Sequence, residues 1–172
     1  MHIPHNVIWE RAAQPKQQFI AWLAIQHRLK TRDRLHNQWD ISDKKCLLCD
    51  VCDENHSHLF FECFYSSRVW QDVRDWMGFG PEILKLNTLV RVCRRFRNRF
   101  QRTMVQACIL AVIYQIWRVR NVAFWEKKVM NIPNIARCIK SDVKHRLLAI
   151  GGKKLRVYAM EFLSEKGAWI MV

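Results

Sequence analysis

The chain has 172 residues, half of them hydrophobic, with few glycines and prolines and a formal net charge of +14. That length can bury roughly 70% of the surface an unfolded chain exposes, so a core without disulfides is expected, in one domain or one domain with a metal-stiffened lobe. No run approaches the roughly 18 uncharged apolar residues of a membrane span, residues 1–16 lack the apolar centre of a signal peptide, and seven cysteines are an odd number for a disulfide framework. An intracellular protein of the nucleus or cytoplasm is expected, with no membrane partner. The charge favours an anionic partner, nucleic acid first.

In chain order, Pro15 suits a first helical turn, and the spacing predicts a helix over 15–29 with Phe19, Trp22, Leu23 and Gln26 on its core face. Thr31 can cap a short second helix in which Leu35 and Trp39 lie four apart, leaving Lys30, Arg32 and Arg34 in solvent. Next comes the densest run of chemistry, from Cys46 to Cys63. Cys46 and Cys49 can clasp one side of a tetrahedral ion, and His58 and Cys63 can close the other. Thiolate and neutral imidazole are the donors Zn²⁺ prefers, and four protein ligands leave no position for a catalytic water. Cys52 and His56 are spare donors in the same loop, and spacing alone leaves open which histidine binds. The plainer alternative is a set of buried thiols with surface histidines.

The acidic loop residues Asp50, Asp53 and Glu54 would help start the helix that carries His58. Leu59, Cys63, Val69, Trp70, Val73 and Trp76 continue at helical intervals until Gly78, Gly80 and Pro81. A further amphipathic helix is predicted over 83–101, with Arg91, Arg94, Arg95, Arg97, Arg99 and Arg102 set apart from the Val92 and Phe96 stripe. Thr103 can cap the next helix, to Lys128, whose middle is apolar nearly all round, from Val105 through Ile113 to Trp117. Its far end turns basic through Arg118 and Arg120. Pro133 opens a helix with Ile135, Ile139, Val143 and Leu147 four apart, closed by Gly151 and Gly152, and one more helix is expected over 155–164. Cys93, Cys108 and Cys138 read as small core residues.

These residues carry a family resemblance. Cys46-x2-Cys49, Glu54, His58-Leu59-Phe60-Phe61-x-Cys63 and Val69-Trp70 resemble the zinc-binding domain found downstream of the reverse transcriptase in plant non-LTR (LINE-type) retroelement proteins. Pro15-Lys16, Phe19, Trp22-Leu23, Arg28-Leu29, Thr31 and Asp33-Arg34-Leu35 fit the same family, as does Trp117-x2-Arg120-Asn121 with Phe124. The resemblance selects Cys46, Cys49, His58 and Cys63 as ligands and leaves Cys52 and His56 outside. Phe64 departs from it, standing where the family usually has proline. The resemblance implies a role beside a reverse transcriptase acting on its RNA and a DNA target.

Chemistry is mostly excluded by what is missing. There is no Asp-Asp pair for two-metal phosphoryl chemistry, no phosphate-binding glycine loop or nucleophile elbow, and no glutamate two residues after a histidine as a zinc deaminase needs. The expectation is a mainly α protein with a small zinc-knuckle hairpin and one structural zinc. Residues 1–80 would form the zinc-binding domain, and 81–172 a helical region packed on it. It is read as a non-enzymatic nucleic-acid-binding module, with Arg91, Arg94, Arg95, Arg97, Arg99, Arg102, Arg118 and Arg120 on phosphate. The alternative is a domesticated scaffold whose arginines meet an acidic protein partner.

Overall fold

The computed structural model describes residues 8, 9, 11, 13–39, 43–78 and 98–150, with backbone alone at 36–39 and 150. Its elements are α1 (Pro15–Ile25), α2 (Arg32–Trp39), a π-helical turn (His58–Glu62), α3 (Phe64–Met77), α4 (Arg99–Glu126) and α5 (Ile132–Ile150). The protein is mainly helical as expected. Among the described residues the β structure is a single antiparallel bridge, Lys45 with Asp53, which closes the knuckle. Arg91, Arg94, Arg95, Arg97 and Cys93, with most of the helix expected over 83–101, lie outside the described residues, and so does the segment after Ile150.

α4 is the centre. Asn98 starts it, its side-chain oxygen accepting the Phe100 N–H at 2.8 Å, so the cap sits five residues before Thr103, which is itself buried inside the helix. The helix ends at Lys127, in the left-handed conformation. Val105, Cys108, Val112, Ile113 and Ile116 are buried because apolar residues occupy nearly every side of the middle turns, and only an element surrounded by others can satisfy that. By length and mean hydropathy α4 could cross a membrane, but 67% of its apolar window is buried inside the protein, as befits a core helix.

α5 packs on α4 through the stripe the spacing predicts, Ile135, Ile139, Val143 and Leu147, all buried. Its start is capped by Asn131, whose side chain accepts the Asn134 N–H at 3.0 Å. α3 packs on α5, and α1 lies along α4. One continuous apolar cluster runs from Ala21 and Ala24 of α1 through Leu59, Val69 and Trp70 to α4 and α5, so the cysteine-rich half and the second half share a core.

Two expectations fail in instructive ways. α1 turns Gln17, Gln18, Ala21 and Ala24 inward and leaves Phe19 51% exposed. Ala21 and Ala24 on the inner face let its backbone lie close to α4; of the expected core face Leu23 packs against the apolar cluster, Trp22 is half-buried and Phe19 is displaced outward. The helix expected to run unbroken from His58 to Trp76 is interrupted at Cys63, which is extended (φ −60°, ψ 130°) between the π-helical turn and α3. α3 then runs to Gly78, which takes the left-handed conformation (φ 71°) that glycine adopts without steric cost.

Candidate metal centre

The knuckle is built by local hydrogen bonds. The Cys46 N–H donates to the Cys52 carbonyl at 2.7 Å, the Asp50 N–H to the Cys46 carbonyl at 2.8 Å, and the Glu54 N–H to the Lys44 carbonyl at 2.8 Å. Asp50 sits at positive φ (55°), one of the few non-glycine types that tolerate it. These bonds curl residues 46–49 so that both sulfurs face one point. The second pair comes from the π-helical turn. Its wide register, with the Cys63 N–H donating to the His58 carbonyl at 2.7 Å, brings residues five apart onto one side. Asn55, whose side chain accepts the His58 N–H at 2.9 Å, anchors the entry to that turn.

The result is a quartet. One donor atom from each of Cys46, Cys49, His58 and Cys63 lies within 4.8 Å of all the others. The Cys46 and Cys63 sulfurs are 3.8 Å apart, and the Cys49 sulfur is 3.3 Å from His58 Nε2. Zinc–sulfur bonds of about 2.3 Å at tetrahedral angles place two sulfurs about 3.8 Å apart, so the donors fit one zinc ion. Cys46 and Cys63 are fully buried and His58 nearly so, and a set of three thiols and one imidazole suits zinc among common divalent ions. The contact between the two buried sulfurs pushes the Cys46 thiol up, with burial adding to it. The same contact holds Cys63 below its ordinary value. Ligation needs thiolates, so metal uptake would release protons.

The spare donors face elsewhere. Cys52 is exposed. His56 Nε2 lies 3.2 Å from the Leu29 carbonyl, and its ring packs beside His27 with centroids 5.1 Å apart. Burial holds His56 below the ordinary histidine value, so it donates as a neutral ring and ties the loop to the connection between α1 and α2. Away from the quartet, Cys108 is buried and Cys138 half-buried, and burial pushes the Cys108 thiol up.

Behind the quartet stands a residue whose role spacing does not reveal. Glu54 is buried, and its Oε1 accepts three bonds: Arg120 Nη2 at 2.7 Å, Arg120 Nε at 2.9 Å and the Arg32 N–H at 2.8 Å. It therefore caps the start of α2, a task expected of Thr31, whose hydroxyl is buried and has no partner among the described residues. Arg32 is not in solvent either, since its guanidinium bonds Asp43 and the Lys45 carbonyl, each at 2.9 Å.

Arg120 is a correction to the basic surface. Its side chain is 3% exposed and that of Glu54 0%, with Trp117 and Phe124 rings 5.1 and 5.2 Å from the guanidinium and Asn121 accepting from Nη1 at 3.2 Å. The Trp117-x2-Arg120-Asn121-x2-Phe124 segment is thus a clamp on the metal loop, and Arg120 is not presented to phosphate. A signal for this exists in the sequence: Arg120 falls four residues after Ile116 and seven after Ile113, on the buried side of α4. Arg99, Arg102 and Arg118 are exposed.

The model of the family described as zinc-binding in reverse transcriptase matches residues 1–70. The match contains all four donors and Glu54, while Arg120 comes from beyond it. No curated protein and no solved structure matches the chain. The family match and the donor quartet together support a reverse transcriptase zinc-binding domain over residues 1–70.

Proposed function

We propose that the chain is a non-catalytic nucleic-acid-binding module, in which zinc held by Cys46, Cys49, His58 and Cys63 maintains shape. Such a module would accompany the reverse transcriptase of a LINE-type retroelement of plants and work in the nucleus or cytoplasm. The supporting observation is charge. From Lys85 to Lys128 the sequence has eleven basic residues against one acidic, and Arg99, Arg102 and Arg118 of that stretch are exposed. A donor set complete with four protein ligands supports the non-catalytic part, because a tetrahedral ion so held has no position for substrate or water.

The test is a titration with single-stranded RNA at several salt concentrations. If about five phosphates are neutralised, the logarithm of the binding constant falls with the logarithm of salt at about −0.7 per phosphate. Changing Arg94, Arg95 and Arg97 together to Glu should weaken binding and flatten the slope without loss of zinc. Absence of binding to any RNA or DNA at about 50 mM salt, where phosphate contacts are strongest, would reject the reading in favour of a scaffold that meets an acidic protein.

A further inference from the structure

We propose that a single-stranded nucleic acid is seated in the basic groove between α1, α4 and α5, with its bases against the outward aromatic row of α1; this rests on the nucleic-acid reading above. The groove is lined by Lys16 of α1, Tyr114 and Arg118 of α4, and Arg137 of α5. Its volume of about 610 Å³ lies in the range of sites that hold small organic ligands, so it admits a nucleotide-sized group and not merely an ion. Through Arg137 and Ser141 it continues into a second groove, which adds Lys140 and Lys144. A chain can therefore enter by one groove and leave by the other.

The charges are arranged for an anion. Of the two acids along this track among the described residues, Asp142 accepts from Gln115 at 3.2 Å and Asp72 is paired with Lys140 at 3.0 Å. Lys16, Arg118, Arg137 and Lys144 have no carboxylate partner among the described residues. Lys16 instead rests over the Tyr114 ring, 5.3 Å from its centroid, a contact of about 0.5–1 kcal/mol at an exposed site that a phosphate easily replaces.

The second observation is aromatic. Because α1 buries its small face, Lys16, Phe19 and Trp22 follow one another at three-residue intervals along its outer side. Phe19 is exposed and stacks on Trp22 with centroids 6.2 Å apart and planes at 26°, and Arg28 lies over the Trp22 ring at 5.8 Å. A cationic track beside an exposed ring, here Phe19, is the combination that holds single strands without reading sequence, phosphates on the cations and a base on the ring. Duplex DNA or RNA offers no free base faces to such a row, so the single strand is the better match.

The experiment is fluorescence anisotropy with a labelled 12-nucleotide single-stranded RNA and, separately, the same sequence as a duplex, on the full zinc-loaded chain. Changing Lys16, Arg118 and Arg137 together to Glu should weaken single-strand binding about tenfold or more and reduce the salt slope by about 2, three phosphates at about 0.7 each. Phe19→Ala should weaken it about tenfold, the size of one lost stack, while Phe19→Tyr should bind as the original chain does. All these side chains are exposed, so zinc content and melting temperature should not move. If the original chain binds RNA and the triple variant binds equally well with the same slope, the groove is wrong and the broader reading stands. If the original chain binds neither RNA form, both fall. Equal loss on single strand and duplex, with no effect of Phe19→Ala, overturns the stacking assignment.

Discussion

The loop from Lys44 to Cys63 and helix α4 both place residues in the core, yet opposite forces hold them. α4 is surrounded because its own side chains are apolar on nearly every side, and the hydrophobic effect acts on it without regard to direction. The loop's regular structure is one bridge and one π-helical turn; it is fixed by directional contacts, the donor quartet and the bonds to Glu54. An apolar helix tolerates small displacements of its neighbours. A site built from four donors and a buried carboxylate tolerates few, because each misplaced polar group costs its desolvation. The Glu54–Arg120 pair is where the two kinds of structure are joined.

The largest expected effect separates metal from core. Removal of zinc by a chelator, or Cys46→Ser, should cost up to about 10 kcal/mol, the scale of structural zinc in small metal-dependent folds. Hydrogen exchange should accelerate first in residues 43–63 and only later in α4. Full zinc content and an unchanged melting curve in Cys46→Ser would break the assignment. A corresponding blow to the apolar side is Ile113→Asp, which places a carboxylate at a fully buried position and should cost more than about 4 kcal/mol. A soluble variant that still melts cooperatively near the original temperature would show that α4 is not the core.

The junction comes next. Arg120→Met leaves the buried Glu54 carboxylate without its cation and should cost about 3–5 kcal/mol by urea denaturation. Combining it with Glu54→Gln should recover part of that, since the stranded charge is gone, whereas Arg118→Met, two residues away and exposed, should stay within about 0.5 kcal/mol. Equal small effects of Arg118→Met and Arg120→Met would dissolve the distinction drawn between them. The smallest effect is at Phe64. It is the first residue of α3 and follows an extended Cys63, the backbone a residue before proline prefers. Phe64→Pro should therefore be tolerated, with a gain of about 0.4–1 kcal/mol from a stiffer unfolded chain; a loss of zinc in that variant would mean the turn depends on phenylalanine.

Patterns local to one segment were legible in the sequence. The four-residue stripe of α5, the apolar middle of α4 and the density of donors from Cys46 to Cys63 are each properties of a single stretch, and periodicity or spacing carries them directly. The face of α1 was not legible. Aromatic residues look like core residues, and only the close approach to α4 shows that Gln17, Ala21 and Ala24 take that side.

What the sequence by itself determined is therefore the helical class, the identity of the candidate donors and the excess of positive charge. Spacing did not choose His58 over His56; the family resemblance did, and the physical reason is the π-helical turn, whose register sends one ring to the Cys49 sulfur and leaves the other at the Leu29 carbonyl. Glu54 and Arg120 are 66 residues apart, and nothing local to either reports the other. A charge in a sequence is the same letter whether it faces water or a buried partner; its meaning is set by the neighbours that folding brings to it, and those are decided by the tertiary structure alone.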